Sequence, residues 1–132
     1  MALSEDVSRI AGVAAHHRAP GQQVAAVLAI ETAAGERVYL AAFTNGDGEQ
    51  EWLALDHDGV PVTSRERVRE AASIAALVEI AEEAAERVAE GPRLASLPYL
   101  DSLGGDANIA ASLPAVEQLT QDVERHYKLE LS

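Results

Sequence analysis

The pattern of hydrophobic and polar positions predicts a helix, three strands and then further helices along the chain. Between Val7 and Ala14, apolar residues recur at spacings of three and four, which is typical of one face of a helix. We expect this helix to begin at Ser4, a residue type that caps helices, and to run to about His17. The segment Ala19-Pro20-Gly21 ends the pattern.

Three strand-like runs follow, Gln23–Thr32, Arg37–Thr44 and Glu51–His57, separated by short turn-forming segments. Such short connections favour an antiparallel meander over parallel crossovers. The first run is apolar on both alternating faces, which predicts a central strand. Its first face is expected to carry Val24, Ala26, Leu28 and Ile30.

A long helix is predicted next. Thr63-Ser64-Arg65-Glu66 is a capping box, and the helical pattern continues to Glu90, before Gly91-Pro92. Such a helix would be roughly 40 Å long at 1.5 Å per residue. The stretch Ala71–Val78 carries no charge on any side, which indicates burial on more than one face. Either a second subunit or other helices of the same chain would cover it, and a dimer interface would use Ala71, Ile74, Ala75 and Val78.

The last part of the chain predicts smaller elements. A short helix is expected within residues 93–112, ending at Gly104-Gly105, and Ser112-Leu113-Pro114 predicts the start of the C-terminal helix. Residues 127–131 alternate and form a possible extra edge strand. The fold class is therefore α+β in one compact domain, residues 1–132: an N-terminal helix, a three-stranded antiparallel meander, a long helix packed on the sheet and a C-terminal helix.

Composition narrows the classes of function. The 22 acidic and 10 basic residues give a formal net charge of −12, which argues against nucleic acid as a partner. The chain has no cysteine, so disulfides and thiolate chemistry are excluded. The sequence shows neither a secretory signal nor an apolar stretch long enough to cross a membrane, so we expect a cytoplasmic protein without a membrane partner.

Histidine is the first candidate for chemistry. The segment Asp56-His57-Asp58-Gly59 places an imidazole between two carboxylates, so His57, Asp56 and Asp58 are candidate catalytic residues. Neighbouring strand side chains alternate between faces, however, and Asp-Gly after a strand is typical of a turn. The chain has no helical pair of histidines four residues apart, and its Asn-x-Asp-Gly and Asp-x-Asp-Gly segments lack the remaining carboxylates of a calcium loop. We therefore expect no metal and no cofactor.

Arg65, Arg67 and Arg69 form the best candidate for recognition of an anion. They lie in the first turns of the long helix, where a positive charge opposes the helix dipole. A carboxylate or phosphate from a ligand could bind there. The alternative is a set of ordinary surface ion pairs with Glu66 and Glu70.

Two hypotheses about function remain. The first is a non-enzymatic interaction or adaptor module that forms a homodimer and binds a protein partner. The second is a small enzyme or small-molecule binder with a pocket between the sheet and residues 93–112, using His57, an aspartate and an arginine. A solution mass would discriminate between them.

Overall fold

The computed structural model describes residues 3–84, 94–103 and 106–132, and for residues 106–112 it describes the backbone alone. Within these ranges the predicted α+β class is confirmed. The elements follow one another as α1 (Leu3–Ala15), β1 (Gln23–Glu31), β2 (Arg37–Thr44), β3 (Gln50–Asp56), α2 (Arg65–Ala84), β4 (Leu94–Ala95), α3 (Leu97–Ser102) and α4 (Asp106–Arg125). Ser4 lies inside α1, not before it as its cap.

The described strands form one sheet in the order β3-β2-β1-β4. The β1–β2 and β2–β3 pairs are antiparallel, as the short turns predict, and the two-residue β4 lies parallel to β1 beside Ala29 and Ile30. Both β2 and β1 are therefore interior strands, as predicted for β1, although β4 covers the outer side of β1 only beside Ala29 and Ile30. Gly48, which has a φ of 89°, supplies the left-handed conformation of the β2–β3 turn.

A bulge in β1 changes which side chains share a face. Val24 pairs with Phe43 and Ala26 pairs with Ala42, so one extra residue lies between them. Such an insertion moves the following side chains to the opposite face. Val24 therefore packs on the α1 side of the core. Strict alternation predicts Ala26 on the same face as Val24, but the bulge places Ala26 on the opposite face.

The sheet separates two layers of helices. Helix α1 covers one face, where Ile10, Tyr39, Phe43 and Leu55 are fully buried. Helix α2 packs on the other face and against α4, with Val68 in that second cluster. The two clusters together form the core of the described residues.

Helix α2 begins one residue later than predicted. The Ser64 side chain accepts a hydrogen bond from the Arg67 N–H at 3.4 Å, so Ser64 and not Thr63 is the capping residue. The described part of the helix ends at Ala84, and its predicted continuation to Glu90 lies outside the described residues. The uncharged segment is covered by the sheet and α4 of the same chain, with exposures of 0–6% at Ala71, Ile74, Ala75 and Val78.

The C-terminal region differs most from its prediction. Helix α4 begins at Asp106 and continues through Pro114, whereas the sequence predicts a start at Ser112. Proline is common in the first turn of a helix, but here it lies inside and leaves one backbone hydrogen bond unmade. The predicted glycine cap at residues 104–105 lies outside the described residues.

The predicted C-terminal edge strand is a single bridge. The Trp52 N–H donates to the His126 carbonyl at 3.1 Å, and the Lys128 N–H donates to the Trp52 carbonyl at 2.9 Å. Tyr127 is thereby paired in parallel with Trp52 on β3. This bridge fixes the end of α4 against the edge of the sheet.

Candidate functional site

The predicted catalytic cluster does not converge in the structure. Asp56 accepts hydrogen bonds from the backbone N–H groups of Asp58 and Val60, each at 2.9 Å, and so forms a turn. His57 and Asp58 are exposed. The His57 Nδ1 atom lies 3.0 Å from the hydroxyl of the buried Tyr39, on the α1 side of the sheet. His57 is thus paired with a tyrosine and not with either neighbouring aspartate.

A shallow polar cleft of about 380 Å³ surrounds His57. Asp6, Glu31, Gly35 and Arg37 line it together with the imidazole. The Arg37 guanidinium lies 3.5 Å from the Asp6 carboxylate, so much of the charge in the cleft is already compensated within the chain. Partly exposed ion pairs of this kind are ordinary surface features, and the cleft has no distinctive chemistry.

The three arginines of α2 are paired within the chain. Arg65 lies 2.7 Å from Glu124, Arg69 lies 3.1 Å from Glu124, and Arg67 pairs with Glu36. The prediction of surface ion pairs is matched, but Glu124 and Glu36 take the place of the expected Glu66 and Glu70. The Ser132 carbonyl accepts a hydrogen bond from the Arg65 N–H at 3.1 Å, so one of the N–H groups proposed for an anion is also occupied.

A cavity of about 380 Å³ lies on the other face of the sheet, under α2 and α4. We call it the apolar cavity. It reaches Ala95 of β4, and so occupies the place between the sheet and the 93–112 segment where the sequence predicts a pocket. None of His57, the two neighbouring aspartates and the three arginines belongs to it. Its lining residues are Ala25, Ala26, Leu28, Ala29, Leu40, Ala42, Gln50, Trp52, Ala75, Val78, Glu79, Ala95 and Leu119.

Small side chains create the space. Across the sheet, Ala42 pairs with Ala26 on one side and with Trp52 on the other, so two of the three side chains in this row are methyl groups. The next row is built from Leu28, Leu40 and Ala54, and its larger side chains pack into the core. Because protein interiors are normally packed to the density of organic crystals, an alanine row facing a helix leaves an unfilled volume.

Polar groups are few in the lining of the apolar cavity. Glu79 is the charged residue among the described lining residues, and Gln50 provides an amide. Both are exposed, whereas Trp52 is half-buried. An apolar interior with a small number of polar groups is typical of sites that bind small molecules, and the volume lies within the usual range of about 300–1,000 Å³.

Sequence reasoning missed most of this site because no motif marks it. The available signal was compositional: four of the lining alanines lie in strands β1 and β2, where larger side chains would normally fill the core. Periodicity predicts which face of β3 carries Trp52 and which face of α4 carries Leu119. The pairing of Ala26 with Ala42 in the row beside Trp52 follows the bulge in β1, which was not predicted.

Two further findings concern metal ions and membranes. Among the described residues, no group of three or more histidine or carboxylate side chains is placed to hold a metal ion. No helix in the described ranges combines the length and apolar character needed to cross a membrane.

Comparisons with known proteins identify no relative. No family model, no curated protein and no solved structure matches the chain.

Proposed function

We propose that this protein binds a small apolar molecule in the apolar cavity. The observation that carries the proposal is a partly open volume of about 380 Å³ between the sheet and α2, in which six of the thirteen lining residues are alanine. A site of this size and composition would bind a ligand by burying apolar surface, at roughly 25 cal/mol per Å².

The position of the cavity also supports binding. It lies within the second core cluster, next to Leu40 and Val78, and is bounded by four strands and two helices. Sites built on packed strands and helices hold their shape more closely than sites on loops. A ligand would therefore meet a largely preformed surface.

Trp52 gives a direct test, because it is the chain's single tryptophan and it lines the cavity. n-Hexanol should change the intensity and wavelength of its fluorescence in a saturable way, and should raise the midpoint of thermal unfolding, since it binds the folded state. The matched control is Ala42→Leu, which should fill the cavity and remove the saturable response. If saturating hexanol leaves both the fluorescence and the unfolding midpoint of the wild type unchanged, the proposal is wrong.

Self-association and binding of a protein partner stay predictions from the sequence, as does a cytoplasmic location. A dimer would have to use a surface other than Ala71, Ile74, Ala75 and Val78, because the single chain buries these side chains.

A further inference from the structure

A second cavity, of about 370 Å³, adjoins the apolar cavity at the β3 edge of the sheet. We call it the polar cavity. The two cavities share Gln50, Trp52 and Leu119, so these three side chains form a common wall. The remaining lining residues of the polar cavity are Gly48, Glu49, Asp122 and His126.

Two carboxylates line the polar cavity together with the His126 imidazole. Glu49 comes from the β2–β3 turn and Asp122 from α4, so two separate elements bring acidic groups to one space. Asp122 is half-buried, and one of its oxygens accepts a hydrogen bond from the Gln118 side chain at 3.2 Å. Ionised carboxylates only accept hydrogen bonds, so they favour a donor or a cation.

Lys128, the chain's single lysine, does not neutralise the carboxylates of the polar cavity. Lys128 Nζ lies over the Phe43 ring, 4.7 Å from its centroid, and donates to Gln22 Oε1 at 2.6 Å. Phe43 belongs to the α1 side of the core, whereas Trp52 packs with the α2 side. The Lys128 ammonium is therefore directed to the opposite face of the sheet.

We propose that the ligand is an amphiphile with one cationic, amine-type head group. The proposal rests on the proposed function and adds the chemistry of the ligand to it. The apolar part lies in the apolar cavity, and the ammonium lies in the polar cavity within reach of Asp122 and Glu49. Trp52 lines both cavities, so its indole can contact the chain of the ligand and attract the cation. The net charge of −12 favours approach of a cation over long range.

Three six-carbon probes that differ only in their head group test this inference. n-Hexylamine, n-hexanol and hexanoate are titrated separately against the wild type, with Trp52 fluorescence as the readout. We expect the amine to bind more tightly than the alcohol by roughly two- to fivefold, the range that partly exposed charge pairs give. Hexanoate should bind most weakly, and the preference for the amine should decrease as salt is added.

Charge-removing variants locate the head group. Asp122→Asn and Glu49→Gln should lower the affinity for hexylamine towards that for hexanol, while hexanol binding stays as in the wild type. Glu66→Gln removes the same charge from an exposed position on α2 outside both cavities, and should leave the preference unchanged. Retained hexanol binding also shows that each variant is folded.

The outcomes separate the two proposals. If hexanol binds but the amine has no advantage, or if Asp122→Asn and Glu49→Gln leave the advantage intact, the head-group inference is overturned and the apolar site stands. If Glu79→Gln alone removes the advantage, the cation lies at the α2 rim and the polar cavity is not its site. If none of the three probes binds, the proposed function itself fails.

Discussion

Ala41 and Ala42 are consecutive on β2, but their side chains belong to opposite layers of the molecule. Ala41 is fully buried in the α1 side of the core, and Ala42 lines the apolar cavity. The same substitution at these two positions therefore distinguishes a packed surface from an unfilled one.

Ala42→Leu should leave the free energy of unfolding unchanged or raise it by roughly 0.5–2 kcal/mol, as cavity-filling substitutions do. Ala41→Leu should lower it by about 1–3 kcal/mol, because extra methylene groups in a packed core force neighbours out of position. Urea unfolding of both variants measures the difference. Equal destabilisation by the two substitutions would contradict the presence of usable space beside Ala42.

Ala71→Glu tests whether the uncharged segment of α2 is a core or a dimer interface. Ala71 is fully buried in the single chain, so a carboxylate there would be taken out of water. We expect a loss of roughly 4 kcal/mol or more in the free energy of unfolding, which places this substitution among the severe ones. The matched control is Ala84→Glu, at an exposed position of the same helix, which should have little effect.

Circular dichroism measures whether Ala71→Glu is folded, and light scattering measures its oligomeric state. The structure leads us to expect loss of the folded signal for Ala71→Glu. A variant that keeps its helical signal and changes from dimer to monomer would instead support the interface predicted from the sequence.

The sequence predicted the meander well, because its signals are local. Asn45-Gly46-Asp47-Gly48 fixes a tight turn, and alternation fixes the faces of β2 and β3. The two apolar faces of β1 predict an interior strand, and β1 lies between β2 and β4. In the structure that apolar character reflects the packing of β1 between α1 and α2, and does not require a full neighbouring strand on each side.

The candidate site was much less predictable. The candidate residues chosen from the sequence are polar, and their partners were expected nearby in sequence. Arg65 and Arg67 instead pair with glutamates that lie 59 and 31 residues away along the chain. Their partners depend on how α2 meets α4 and the β1–β2 turn, which local patterns do not encode. The apolar cavity depends on the absence of side-chain volume at Ala26 and Ala42, and such an absence becomes visible only when the rows of the sheet are assembled.

Lys128, the chain's single lysine, should stabilise the fold through its terminal ammonium. That group donates to Gln22 Oε1 at 2.6 Å, lies 3.5 Å from Glu51 Oε1, and contacts the Phe43 ring. Lys128→Met keeps an unbranched apolar stem but leaves Gln22 and Glu51 without this donor. We expect a loss of about 1–3 kcal/mol in the free energy of unfolding, since a hydrogen bond with a charged partner contributes roughly 1.5–3 kcal/mol.

The control for this prediction is Arg18→Met, which removes the same charge from an exposed position. Thermal unfolding at low and at moderate salt measures both variants. A loss for Lys128→Met no larger than that for Arg18→Met would show that the Gln22 and Glu51 contacts contribute nothing to stability.

Ionisation of the Tyr127 hydroxyl should lower the free energy of unfolding at alkaline pH. Burial raises the pKa of its hydroxyl to about 12, despite the hydrogen bond from the Ala54 N–H and the positive charge of Arg67, which both act to lower it. The hydroxyl donates to the Val62 carbonyl at 2.6 Å and accepts from the Ala54 N–H at 2.8 Å. Loss of the proton would remove the first bond and place a negative charge beside a carbonyl oxygen.

The sign of the effect follows from the two pKa values. The unfolded chain releases this proton near pH 10, which is the ordinary value for tyrosine, whereas the folded chain keeps it to about pH 12. The stability that the protonated hydroxyl contributes is therefore fully present below pH 10 and is lost as the pH rises through 12.

Tyr127→Phe isolates this contribution. At pH 8 the variant should be less stable than the wild type by about 1–3 kcal/mol, because the Ala54 N–H loses its acceptor. The difference should shrink as the pH is raised from 10 to 12, and the absorbance of tyrosinate should show one group fewer titrating at the alkaline end. A difference in the free energy of unfolding that is constant from pH 8 to pH 12 would contradict the raised pKa of Tyr127.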